Sequence, residues 1–224
     1  MSPGAQGPDE LERLWRQAYD EAQARLKLDP FAAACGCCRR VLSPDELTKK
    51  CDFELISETE FASRDLANAM KKKTQWADAI ASDDLDLSRL GMIEVHWRRS
   101  VIEVKDTGTA KGMGAFSRFT LAPGQFVGEY VGEIIDAAAI KTRKAQGWSD
   151  AYYFDLGAGF TVDGFRKGNL TRFMNHSDAP NVQATIINHH RIRRVVFHAI
   201  VAIEASVELC YDYGKKYWKK HEYI

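Results

Sequence analysis

At 224 residues and 45% apolar composition, the chain can bury one full-sized domain core plus an appendage, or two small cores, and wholesale disorder is excluded. Lys plus Arg (31) equals Asp plus Glu (31), so net charge advertises neither a nucleic-acid nor a membrane-surface partner. No apolar run approaches the roughly 18 residues of a membrane span, and the N-terminus MSPGAQGPDELERLW lacks the charge and apolar pattern of a signal peptide; a soluble intracellular protein with reduced thiols is the expectation.

Taken in chain order, the Gly- and Pro-rich residues 1–8 read as a loose terminus. Leu11, Leu14, Trp15, Ala18, Ala22 and Leu26 recur at three- and four-residue steps and predict a helix over 9–28. Ser43-Pro44-Asp45-Glu46 reads as a second helix opening, with a Ser N-cap, Pro at the first helical position and acidic residues in the first turn. Residues 58–82 are polar and helix-compatible, so residues 1–91 read as a helical N-terminal extension.

From Met92 the texture becomes β-branched and alternating. IEVHW and SVIEVK predict strands across an Arg-Arg turn, and GAFSRFTLAPGQFVGEYVGEII predicts two strands around a turn at Ala122-Pro123-Gly124. YYFDLGAGFTVDG reads as a strand pair, RVVFHAIVAIEASVELCYDYG as two more strands, and DAAAIKTRKAQ as a helix near 136–146. His189-His190 read as loop residues without metal-ligand spacing, and the basic runs Lys71–Lys73 and Arg191–Arg194 as solvated faces. The fold class is mostly β behind a helical extension, α+β overall.

Lys111-Gly112-Met113-Gly114 contains G-x-G, but the Pro and Gly of FSRFTLAPG stop any long helix after it, so a dinucleotide fingerprint fails on context. Taken alone this loop is a turn needing positive φ. Three further segments accompany it: Glu129-Tyr130-Val131-Gly132-Glu133, Arg172-Phe173-Met174-Asn175-His176-Ser177 continuing to Pro180-Asn181, and Glu208-Leu209-Cys210-Tyr211-Asp212-Tyr213-Gly214. In this order and spacing they resemble the SET-domain protein lysine methyltransferases, over roughly residues 92–218.

The resemblance implies a SET domain over 92–214, built of short β-clip-like sheets with a knot-like C-terminal crossing, and a tail over 215–224 that closes the site. It implies S-adenosyl-L-methionine as methyl donor, with Lys111, Gly112, Met113, Gly114 and Tyr152 beside it. Arg172, Phe173, Asn175 and His176 would form its floor, with Tyr217 (or Trp218) stacked on its adenine. Tyr213 would be the catalytic tyrosine, Tyr130 a second wall of a lysine channel, and Tyr211 the residue whose hydroxyl favours monomethylation. The substrate would be a protein or peptide, a histone tail foremost, added as a strand beside Tyr153–Leu156. Localisation would then be nuclear in a eukaryote and otherwise cytoplasmic; oligomeric state is open. A non-histone substrate and a non-catalytic peptide-binding module are the rival readings.

The residue types suit the chemistry. Methyl transfer from a sulfonium to an amine needs alignment, exclusion of water and a neutral amine rather than a nucleophilic side chain or a metal, and tyrosines supply apolar walls with polar tips. Many relatives carry Cys after N-H-S and three more beyond D-Y-G for one zinc; here Asp178 follows and no cysteine lies beyond Tyr213, so no such module and no metal at the site is expected. Cys35, Cys37, Cys38 and Cys51 have a spacing that fits four separate thiols better than a zinc site. Cys210 reads as a small core residue.

Overall fold

Ser43 opens the first described helix in the manner its sequence predicts. The computed structural model describes residues 41–73, 101–189 and 191–218; the helix expected over 9–28, the strand over 93–97 and Cys35, Cys37 and Cys38 lie outside them. In α1 (Pro44–Cys51) the Ser43 side chain accepts the Glu46 N–H, and the Glu46 carboxylate accepts the Ser43 N–H at 2.9 Å. This capping box contributes about 1 kcal/mol, and Asp52 in the left-handed region (φ 48°) ends the helix.

Two short strands, β1 (Glu54–Leu55) and β2 (Glu60–Phe61), precede α2 (Arg64–Lys73). The helix-compatible stretch from 58 therefore starts as a strand. Its backbone finds a partner in the second half of the chain, and tertiary pairing overrides local propensity. β1 runs parallel to β9 (Lys167–Gly168), and β2 runs parallel to β6 (Glu133–Asp136). Leu47, Phe53 and Met70 are buried in the same core as the strands that follow.

The remaining elements are mostly short strands, as expected. β3 (Ile102–Asp106) and β4 (Met113–Ser117) form an antiparallel pair. β5 (Phe126–Tyr130), β11 (Val182–His189) and β12 (Ile192–Ala199) form one sheet in the order β11-β12-β5. β2, β6, β8 (Phe160–Asp163) and β7 (Tyr153–Gly157) form another, with β7 at its edge. α3 (Ala137–Ala145) falls where the Ala-rich run predicted a helix, its N-terminus capped by Asp136 through the Ala139 N–H at 2.9 Å.

Strand β11 corrects the reading of His189 as a loop residue: it is the last residue of the strand, opposite Ile192. Val182, Thr185, Ile186 and Ile187 carry the β-branched signal, which the adjoining Pro180-Asn181 motif obscured. Phe197, Leu121, Ile134, Ile135, Leu156, Ile203 and Leu209 are fully buried, so the core lies beneath these small sheets. β10 (Asn175–His176) and β13 (Cys210–Tyr211) pair in parallel, with Asn175 opposite Cys210 and His176 opposite Tyr211. That pairing sets two distant motifs side by side. No helix among the described residues is long and apolar enough to cross a membrane.

Candidate active site

The glycine loop, the N-H-S segment and the E-L-C-Y-D strand are tied together by side chains of the motifs themselves. Asn175 Nδ2 donates to Glu208 Oε1 at 2.8 Å and to the Met113 carbonyl at 3.3 Å. Lys111 Nζ donates to the His176 carbonyl at 2.9 Å. Asn181 donates to the Glu208 carbonyl at 2.8 Å and accepts the Cys210 N–H at 2.9 Å, which fixes β13 against the end of the second motif. Gly112 takes φ +69°, and a Cβ at Gly114 would sit 2.7 Å from Thr107 Cγ2 and 2.8 Å from Glu208 Oε1. One glycine answers a backbone requirement and the other a close approach.

His176 is buried and does not line the cleft. Its Nδ1 accepts the Tyr213 N–H at 3.2 Å, which leaves the proton on Nε2, 3.3 Å from Asp178 Oδ1. The residue that departs from the four-cysteine pattern thus holds the histidine that holds the backbone of Tyr213.

The tyrosines converge. Tyr211 and Tyr213 ring centroids lie 4.7 Å apart, Tyr213 and Tyr217 4.7 Å, and Tyr211 packs on Phe197 (4.9 Å) and Phe154 (6.2 Å). Tyr130 stands beside Phe154 at 5.6 Å. Tyr130 Oη donates to the Tyr152 carbonyl and Tyr213 Oη to the Met174 carbonyl, each at 2.8 Å. The Tyr211 hydroxyl has no hydrogen-bond partner among the described residues. Burial pushes the Tyr130 and Tyr211 phenols well above their ordinary range and raises Tyr213 as well, so all three are neutral at physiological pH.

These residues border a cleft of about 910 Å³. Of the residues expected at the site, Lys111, Met113, Tyr130, Tyr152, Arg172 and Phe173 line it, as do Asn175, Tyr211, Tyr213 and Tyr217; Gly112, Gly114 and His176 do not. Trp218 ends α4 (Lys215–Trp218), and its side chain is outside the described set. Sequence reasoning missed Cys51, Lys144, Asp150 and Met174 on the walls, while Phe154 lies in the segment expected to receive the peptide. Met174 sat unread inside its motif, and Cys51 is far away in sequence. No cluster of metal-ligating side chains occurs among the described residues.

Arg172 is only 5% exposed, with its guanidinium carbon 4.2 Å from the ring centres of both Phe53 and Tyr152. One terminal nitrogen donates to the Phe165 carbonyl at 3.0 Å, while Nε and the other terminal nitrogen are buried without a partner. Burial lowers its pKa. A desolvated cation held behind a cleft wall favours a ligand that carries negative charge.

Short sheets held together by motif residues around a tyrosine-lined cleft make up this β domain. Residues 112–214 match the family model described as SET domain. The chain is 28% identical over 207 residues to "Histone-lysine N-methyltransferase, H3 lysine-4 specific" of Aspergillus oryzae, covering 88% of this chain and 16% of that one. It is 36% identical over 115 residues to human "Histone-lysine N-methyltransferase EHMT1" (48% of this chain, 9% of the relative). It is 39% identical over 110 residues to "Histone-lysine N-methyltransferase, H3 lysine-36 specific" of Aspergillus fumigatus (46% and 11%). The chain therefore spans between 9% and 16% of these relatives' lengths.

Proposed function

We propose that this chain is an S-adenosylmethionine-dependent protein lysine N-methyltransferase that acts on a histone tail and favours monomethylation. The observation that carries the reading is the cleft itself. Its wall is a cluster of neutral tyrosines, and motif residues Lys111, Met113, Arg172 and Asn175 border the same space. The lining suits a zwitterionic adenosyl amino acid, with the buried Arg172 cation beside the cleft and Phe173 and Tyr217 as aromatic surface. When bound, the methyl donor supplies an electrophilic methyl on a sulfonium.

The protein's own share is positioning. A substrate lysine must arrive as a neutral amine, and entry into a wall of uncharged rings favours that form by desolvation. Tyr130 and Tyr213 spend their hydroxyl hydrogens on the Tyr152 and Met174 carbonyls, so their oxygens face a substrate as acceptors for amine N–H groups. No general base is called for, since the amine loses its proton to water before entry. His176 serves the backbone of Tyr213 rather than the reaction. The Tyr211 hydroxyl, unclaimed among the described residues, can hold a water where further methyl groups would need space.

β7 is the edge strand of its sheet and borders the cleft, which is where an extended peptide would be added as a strand. The relatives' names cite different histone lysines, so they support a histone tail as substrate without choosing the lysine. The test is mass spectrometry of free histones and histone octamers incubated with the protein and the methyl donor. A single-methyl mass gain on one histone supports the reading. Donor binding without any adduct turns the search to non-histone proteins, and absence of donor binding rejects the enzyme.

A further inference from the structure

We propose that Glu208 is a positioning residue of the donor site: it fixes the Asn175 amide so that the amide oxygen faces the cleft and accepts an N–H of the methyl donor's ammonium group. This inference rests on the donor-binding reading of the cleft. The neighbours of the amide permit one arrangement. Asn175 Nδ2 lies 2.8 Å from Glu208 Oε1 and 3.3 Å from the Met113 carbonyl, a carboxylate and a carbonyl that both accept. Nitrogen must face them, so Oδ1 takes the opposite edge of the amide plane.

Oδ1 receives no hydrogen bond among the described residues and is not buried, and it belongs to a residue that borders the cleft. Behind the amide, the Glu208 carboxylate has no Lys or Arg partner among the described residues, and Lys111 donates to the His176 carbonyl instead. A charged acceptor polarises the amide and strengthens the oxygen at its other end. The same negative charge favours a cationic group over a neutral one in front of that oxygen. A zwitterionic adenosyl amino acid carries one cationic N–H group, its ammonium.

The reach of Glu208 to Asn175 depends on space at Gly114. A Cβ there would sit 2.8 Å from Glu208 Oε1, so the glycine lets the carboxylate cross β4. The Glu208 backbone is held on two sides, by an antiparallel bridge to Phe116 and by the Asn181 amide, which donates to its carbonyl at 2.8 Å. Glu208 thus stands outside the cleft and acts on it through Asn175, joining the glycine loop to the N-H-S segment.

The test is calorimetric binding of S-adenosylhomocysteine and of its deaminated analogue, which lacks only the amino group, to the full chain. Wild type is measured beside Glu208→Gln and Glu208→Ala, with thermal melts as a folding control. The wild type should prefer the amino-bearing ligand by about 10- to 100-fold. Glu208→Gln keeps an oxygen for the Asn175 amide but no charge, and should shrink that preference about 3-fold. Glu208→Ala removes both and should shrink it about 10-fold. A folded variant that weakens both ligands equally would mark a merely structural role and overturn the proposal, and so would a preference unchanged in both variants. Equal affinity of the wild type for the two ligands would overturn it without any variant and leave the donor reading standing. Binding of neither ligand would remove that reading, and the inference with it.

Discussion

Tyr211 differs from its two neighbours in what its hydroxyl does. Tyr130 and Tyr213 each give their proton to a backbone carbonyl, while the Tyr211 oxygen is left to whatever enters the cleft. If that oxygen holds a water that limits the reaction, removing it enlarges the space for a methylated amine. Tyr211→Phe should shift the product from monomethyl-lysine towards di- and trimethyl-lysine, read by mass spectrometry of a substrate peptide. A variant that still stops at one methyl group contradicts that role. The motif residues were legible in the sequence as a set, but their division of labour was not. A side chain at Gly114 would meet Glu208, and the His176 ring holds the Tyr213 backbone, which leaves only the backbone of His176 for the role expected of it at the donor. Sequence spacing says which residues gather; only packing says which face the space.

At the scale of elements, the parallel pair β10–β13 is the joint on which the site turns. Asn181 holds it by satisfying the Glu208 carbonyl and the Cys210 N–H together. Asn181→Ala leaves both backbone groups unanswered and should cost about 2–3 kcal/mol in urea unfolding, with donor affinity lowered as β13 loosens. Ser43→Ala removes only a cap and should cost about 1 kcal/mol without touching donor affinity. The contrast between the two variants separates stability from site geometry. Most strands and α3 could be read from β-branched alternation, Gly-Pro turns and an Ala-rich run. The strand at Glu60–Phe61 could not, because two polar-flanked residues become a strand only through a partner supplied by β6. Phe53 was invisible for the same reason. Nothing local ties it to Arg172, and the tie is a ring face across the core.

For the molecule as a whole, the buried tyrosines make stability depend on alkaline pH. Burial raises the folded-state pKa of Tyr130, Tyr211 and Tyr213 above the unfolded value of about 10. Their contribution is therefore complete below that pH. It falls as pH rises past it, because the unfolded chain loses phenolic protons that the folded chain keeps. Thermal melts should show the midpoint dropping above about pH 10, more steeply for the wild type than for Tyr211→Phe. Methyl transfer should instead rise with pH below that point, since more substrate lysine is neutral and no wall tyrosine has ionised.

The claim on which the rest depends is that Tyr213 positions the amine for methyl transfer without being needed to hold the donor. The decisive measurement is Tyr213→Phe beside wild type on the same histone substrate, with donor affinity by calorimetry and methyl incorporation by mass spectrometry. The account predicts donor affinity within a few-fold of wild type and methyl incorporation down roughly 10²- to 10³-fold. Undiminished incorporation would contradict it, and so would a loss of incorporation explained wholly by lost donor binding.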